Sequence, residues 1–317
     1  MILSLILTIV NLFTAFNMVT YSPSSLEKKA LAELVSVMHK SQKFVKVHAA
    51  EYLIWTGHSE IALKEFLKEE KLYSEEPKYR VVIWRVLAQA EQDPARKQLW
   101  IDKIYNAYKD MNGPDRTHAT ETLAKLKQPV SRLFPKETEE TLVSQDRNLQ
   151  TYALWASSFG SESLFDKNRA KFLDMALTDS DIIIRKISAF VLRQSKGLSL
   201  EQWERLAASA LTADPAAETY VTFLTTALVT APAGSDAKTL EKIDEMLLDH
   251  VKYYSVGQRN ELALALAEKG QEHHLKVLKG FMKNKNSAGI YDESSEEAAD
   301  LRAAAAYAIL KINSRKN

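Results

Sequence analysis

The sequence predicts an all-α stack of about eight helical hairpins, on three observations. An eight-residue pattern, basic-x-x-apolar-apolar-x-apolar-apolar, returns eight times. Clear copies begin at Lys46 (Lys46-Val47-His48-Ala49-Ala50-Glu51-Tyr52-Leu53), Arg80, Arg185 and Arg302, and weaker ones at Arg116, Gln150, Glu218 and Arg259. The steps between them are 34, 36, 34, 35, 33, 41 and 43 residues, a period typical of stacked helix pairs that each bury a face on their neighbours. The second observation is composition. Only 9 Gly and 8 Pro occur in 317 residues, good helix formers dominate, and no Asn-Gly or Asp-Gly turn joins alternating apolar runs. The third is punctuation between periodic stretches by Asn112-Gly113-Pro114-Asp115, Thr178-Asp179-Ser180-Asp181, Ala213-Asp214-Pro215 and Ala231-Pro232-Ala233-Gly234.

Taken in order, residues 1–17 form an apolar leader. It has the apolar region of a signal peptide but no basic start, and it is short for a membrane span. A signal, an anchor and an extension upstream of a start at Met18 all stay open, with export slightly favoured over the cytoplasm. Residues 24–41 form a capping helix that Ser24 or Ser25 can start. The solenoid runs over 42–314. Its anchored helices alternate with a second apolar-periodic set, such as Ile61 to Leu67, Leu99 to Tyr105, Phe172 to Leu177 and Leu240 to Leu247, so each repeat is two antiparallel helices. Gln128 to Glu140, with Pro129 and Pro135, is a bent connection, and the polar, acidic stretch Asn284 to Asp300 is a long mobile loop. Within the motif, the small residues three and four places after the anchor allow close helix approach. The basic head is placed to pair with a turn aspartate, as Arg185 with Asp179 or Asp181.

Charge and cysteine content exclude several classes. Basic and acidic residues number 42 and 41, which lacks the excess a non-specific nucleic-acid binder uses to displace counterions. The absence of cysteine removes disulfides, thiolate zinc sites and cysteine nucleophiles.

The run Asp179-Ser180-Asp181-Ile182-Ile183-Ile184-Arg185-Lys186-Ile187-Ser188-Ala189 resembles the hinge of a HEAT repeat, and Lys46 with Ala49-Ala50 and Arg302 with Ala305-Ala306 fit the same pattern. The resemblance spans about 42–314 and is loose at Gln150 and Glu218, where the basic anchor is lost. It implies a right-handed α-α superhelix, an armadillo-like helical solenoid whose anchored helices line a concave face. It also implies functions that range over scaffolds, adaptors, transport receptors and some enzymes.

With the anchor at zero and about 100° per residue, positions +3, +4 and +7 form the core face. Positions +2 and +5 lie opposite, and in a HEAT-like stack they face the concave side. Along the chain they read His48/Glu51, Val82/Arg85, His118/Glu121, Tyr152/Trp155, Ile187/Phe190, Tyr220/Phe223, Glu261/Leu264 and Ala304/Tyr307. Tyr152, Trp155, Ile187, Phe190, Tyr220 and Phe223 are therefore the candidate partner-binding residues, since contiguous exposed aromatic surface marks contact sites. Packing of the same row by neighbouring helices is the competing reading.

Catalytic, metal and cofactor signals are weak. His48 and His118 each precede a glutamate by three residues, but two repeats at about 10 Å each hold them about 20 Å apart, too far to share a metal. His273-His274 diverge on a helix and read as an exposed helix start. Asp179 and Asp181 read as turn and capping residues, and no phosphate loop, nucleophile elbow or zinc-protease motif occurs. No catalytic, metal-binding or cofactor-binding residue is assigned. The expectation is a non-enzymatic scaffold or adaptor that binds a protein or peptide on its concave face. It would not bind nucleic acid, and would meet a membrane only through residues 1–17. The alternative is a HEAT-like enzyme of the DNA glycosylase or bilin lyase kind, with Glu51 or Glu121 as its groove carboxylate.

Overall fold

The structure is a computed structural model and describes residues 23–283 and 294–315. Those residues form seventeen α-helices and no strand, as the helix-forming composition requires. Helix starts fall on the polar residues that the sequence supplies. Ser24 caps α1 (Ser25–Lys40) in a reciprocal box with Glu27. Asp93 caps α5 (Pro94–Lys109) just ahead of a proline, which has no N–H to lose there. Asp181 caps α11 (Ile182–Ser195), and Ser295 caps α17 (Glu296–Ser314). Each side-chain oxygen accepts from a backbone N–H that the first turn leaves orphaned, which is worth about 1 kcal/mol.

Two expectations change here. The stretch expected as a loop to Asp300 turns helical at Glu296, because acidic residues in a first turn complement the helix dipole. Residues 284–293 lie outside the described residues, as does the leader 1–17. The connection Gln128 to Glu140 is mostly helical: α7 (Val130–Leu133) and α8 (Pro135–Leu142) follow one another with a break at Phe134. No described helix is long and apolar enough to cross a membrane.

The helices form two concentric layers. The inner layer holds α2 (Lys43–Trp55), α4 (Tyr79–Ala90), α6 (Arg116–Lys125), α9 (Arg147–Ser157), α11, α13 (Tyr220–Thr230), α15 (Val256–Lys269) and α17. One sequence anchor falls in or just before each. The outer layer holds α1, α3 (Ser59–Tyr73), α5, α7 with α8, α10 (Glu162–Thr178), α12 (Leu200–Leu211), α14 (Ala237–Asp249) and α16 (Leu275–Met282). Every inner helix packs on the next, and α17 packs in turn on both α1 and α2. The expected stack of about eight helical hairpins is present, and its last hairpin meets its first, so the stack closes into a ring.

The seam between first and last hairpins is built from several kinds of contact. Arg302 Nε donates to Glu33 Oε1 at 2.9 Å, and His48 Nδ1 lies 3.0 Å from Asp300 Oδ1. Tyr52 and Tyr307 stack at 4.8 Å with rings 10° from parallel. Ala303 to Ala306 are fully buried, which lets α17 lie close against its neighbours.

The motif's small residues behave as the pattern predicts: Ala49, Ala50, Ala119, Ala189, Ala305 and Ala306 are all fully buried between helices. The anchors' partners differ from expectation. Arg185 donates to the carbonyl of Ala176 at the end of α10, and Arg116 does the same to Tyr108 near the end of α5. A cation there answers the negative end of the helix dipole. Asp181 serves as a cap and Asp179 pairs with Arg147. That last pair is one rung of a ladder in which a cation of one repeat meets an acid of the next. Lys43–Glu76, Arg80–Asp115 and Lys186–Glu218 are others.

Candidate functional site

Several side chains of the inner helices meet one another across the concave side. Some contacts skip a helix altogether. The Phe44 ring on α2 lies 6.0 Å from His118 on α6. Lys125 Nζ on α6 sits 5.4 Å over Phe190 on α11. Arg193 on α11 reaches Glu261 on α15 at 2.7 Å. These contacts narrow the concave side, which keeps a pocket of about 530 Å³ lined by Lys186, Arg193, Glu218, Thr222, Gln258 and Glu261.

The six aromatic and apolar candidates are accordingly packing residues more than a free face. Trp155, Tyr220 and Phe223 are buried, while Tyr152, Ile187 and Phe190 are half-buried against the core. Trp155 meets Phe190 edge-on at 5.8 Å, and Arg185 covers Phe223 at 4.9 Å. The row does not share one face: Tyr220 packs toward the outer layer, its hydroxyl donating to Met246 O on α14 at 3.5 Å and its ring meeting His250 and Tyr254.

The two candidate carboxylates are also in the interior. Arg85 grips Glu51 with two bonds, Nε to Oε1 at 2.7 Å and Nη2 to Oε2 at 3.1 Å. Gln89 adds a third at 2.7 Å. Burial pushes the Glu51 carboxyl up, but Arg85 and Lys125 outweigh it and hold the group down at about 2. Burial likewise opposes ionisation of Glu121, and Lys125 and Arg85 overcome it; Lys125 lies 2.7 Å away. Burial lowers His118. Both acids are thus charged near neutrality, each already matched by a cation, and neither holds a proton to give.

A cluster that sequence reasoning missed lies in the outer layer. His273 and His274 do not diverge. Their rings lie 3.8 Å apart, and both point at Asp244 on α14, His273 Nε2 at 3.1 Å and His274 Nε2 at 2.8 Å. These three side chains place donor atoms close enough for a metal ion. The proton positions argue otherwise. His274 Nδ1 accepts from the Gln271 backbone N–H at 2.9 Å, so the neutral ring carries its proton on Nε2 and donates it to Asp244. Metal ligation through Nε2 needs that lone pair free and a proton on Nδ1, where a donor already points. The trio reads as a hydrogen-bonded clamp between α14 and the start of α16. Burial raises the Asp244 carboxyl, and bonds from His274 and His273 outweigh it and lower it. The spacing of 29 and 30 residues left no local signal.

Another concavity lies on the outside of the ring. The fourth outer position is filled by the two short helices α7 and α8, and the gap between α8 and α10 is a cleft of about 450 Å³. One wall is α8, with Pro135, Thr138, Glu139 and Leu142. The other is α10, with Leu164, Lys167, Asn168, Lys171 and Met175. The floor is α9, with Gln150, Thr151, Leu154 and Ser157. Each set follows the i, i+3, i+4, i+7 spacing of a single helix face. Asn168 is buried and fixed, its Nδ2 donating to Leu154 O at 3.2 Å and Ser158 Oγ at 3.1 Å. Ser131 also lines the cleft, and Gly160 packs against it, where a Cβ would lie 2.2 Å from Ser131 Oγ. In the sequence only Pro129 and Pro135 hinted at this interruption.

Comparison of the chain with family profiles, with curated proteins and with solved structures finds no significant match to any of them.

Proposed function

We propose that the chain is a HEAT-like, non-enzymatic scaffold or adaptor that binds a protein or peptide, and that its binding surface is the outer cleft between α8 and α10. The observation that carries this reading is the contrast between the two faces of the ring. The concave pocket is lined by charges that pair with each other, Lys186 with Glu218 and Arg193 with Glu261, whereas the outer cleft has apolar side chains along floor and walls and stands where its outer helix is broken into α7 and α8. A cleft of this volume with apolar side chains and a few polar groups is the usual form of a recognition site. The enzyme alternative loses support because Glu51 and Glu121 are ionised and neutralised by Arg85 and Lys125. Reactive groups of a general acid–base pair would show the opposite, with environments that push their pKa values apart.

The test is site-specific photo-crosslinking. A benzoylphenylalanine placed at Leu164 in the cleft is compared with one at Leu72, a well-exposed residue of α3. In cells that express the protein, a discrete protein adduct at 164 and none at 72 is the expected result. Identical adduct patterns at the two positions, or none at 164, overturn the reading.

A further inference from the structure

The chemistry of the cleft narrows what it takes. Lys167 and Lys171 stand one turn apart on the cleft face of α10, both exposed. Neither forms an ion pair with any described residue, as is also true of Lys64 and Lys71 on α3. Two like charges at i and i+4 weaken a helix slightly, so nothing local rewards their placement. The facing wall contributes one carboxylate, Glu139 on α8. The cleft is therefore electropositive along α10 and weakly electronegative along α8.

Its shape is that of a missing helix. Three helices supply walls and floor, and all present lining residues at helical spacing. From Leu164 to Met175 the α10 wall rises through eleven residue steps, about 16 Å at 1.5 Å each, which equals about three turns. Side-chain ridges at i, i+3, i+4 and i+7 leave grooves that accept the ridges of another helix.

We infer that the cleft receives a short amphipathic helix of a partner protein, whose apolar stripe seats on Leu142, Leu154 and Met175 and whose carboxylates face Lys167 and Lys171. This inference rests on the scaffold reading above and names the chemistry of its partner. The helix lies between the fourth and fifth outer positions, and the lysines fix its rotation and direction, because its acidic flank must lie toward α10 and away from Glu139.

The test uses fluorescein-labelled 18-residue helical peptides with a leucine stripe, one flanked by glutamates and the other by lysines, read by fluorescence anisotropy on the full-length protein. The glutamate peptide is expected to bind about tenfold more tightly, since two exposed charge pairs are each worth up to about 1 kcal/mol. The double substitution Lys167→Glu/Lys171→Glu reverses the preference. Both sites are exposed, and circular dichroism checks that the fold is intact. Leu164→Asp weakens both peptides. Equal affinities, a preference that survives the charge reversal, or no binding of the glutamate peptide at 1 mM overturns the inference. Saturable binding of dodecanoate without peptide binding also overturns it, in favour of a small anionic amphiphile. If the peptides fail while the crosslink at 164 still captures a protein, only the partner chemistry is wrong. If both fail, the scaffold reading falls with it.

Discussion

Glu51 and Arg85 illustrate how single side chains set the character of this interior. The pair is almost fully buried, so removing one partner leaves a charge in a place that cannot solvate it. Glu51→Gln is expected to cost about 3–5 kcal/mol, and the apolar double replacement Glu51→Leu/Arg85→Met much less; denaturant melts of the two variants check this. The same carboxylate makes stability depend on pH. Its folded value, about 2, lies below its ordinary value of 4.5, so the unfolded chain binds the proton first as pH falls. The stabilisation is fully present above about pH 5 and is lost progressively toward pH 2. The Glu51→Leu/Arg85→Met variant should lose that part of the acid transition, which melts between pH 5 and pH 2 will reveal. Trp155 belongs to the same scale. Its burial against Phe190 means that Trp155→Ala opens a cavity and costs about 3–5 kcal/mol. A surface docking residue would show a melting temperature close to wild type instead.

Helix ends show where local sequence rules hold and where they are overridden. Serine and aspartate caps stand where the pattern places them. The end of α6 is different: Gln128 and Lys127 donate back to Leu123 and Ala124, the arrangement that usually has glycine at its left-handed position. Lys127 occupies it instead, with φ +55°. Lys127→Gly removes the Cβ strain and is expected to raise the melting free energy by up to about 1 kcal/mol, measured by thermal denaturation. Gly270 is the reverse case, since a Cβ there would lie 2.4 Å from the Leu266 carbonyl oxygen and 2.9 Å from Ile312 on α17. The His273–His274 pair shows how far a local argument reaches. Helical angles place two adjacent side chains apart, but a carboxylate on a neighbouring helix draws both to one point.

At the scale of the whole molecule, closure changes how the stack unfolds. An open solenoid frays from its terminal repeats, which have a neighbour on one side only. Here α17 packs on α1 and α2, so no repeat is terminal. Hydrogen exchange should find the amides of α1 and α17 protected to the same degree as those of α9 and α11. Faster exchange confined to α1 and α17 would mean the seam does not hold in solution.

The repeat, the helix pairs, the turns and the inner face were legible in the amino-acid order, since each depends on contacts within about one repeat: the apolar period, the small residues at +3 and +4, and the caps. Glu51 and Glu121 could be located in the interior on the same grounds, and Pro129 and Pro135 marked the break that opens the outer cleft. Whether the stack ends open or meets itself was settled only by the tertiary structure. Curvature accumulates from small rotations at every interface, and no local pattern encodes their sum. For the same reason the charge state of Glu51, the clamp on Asp244 and the vacancy between α8 and α10 appear only once distant helices are in place.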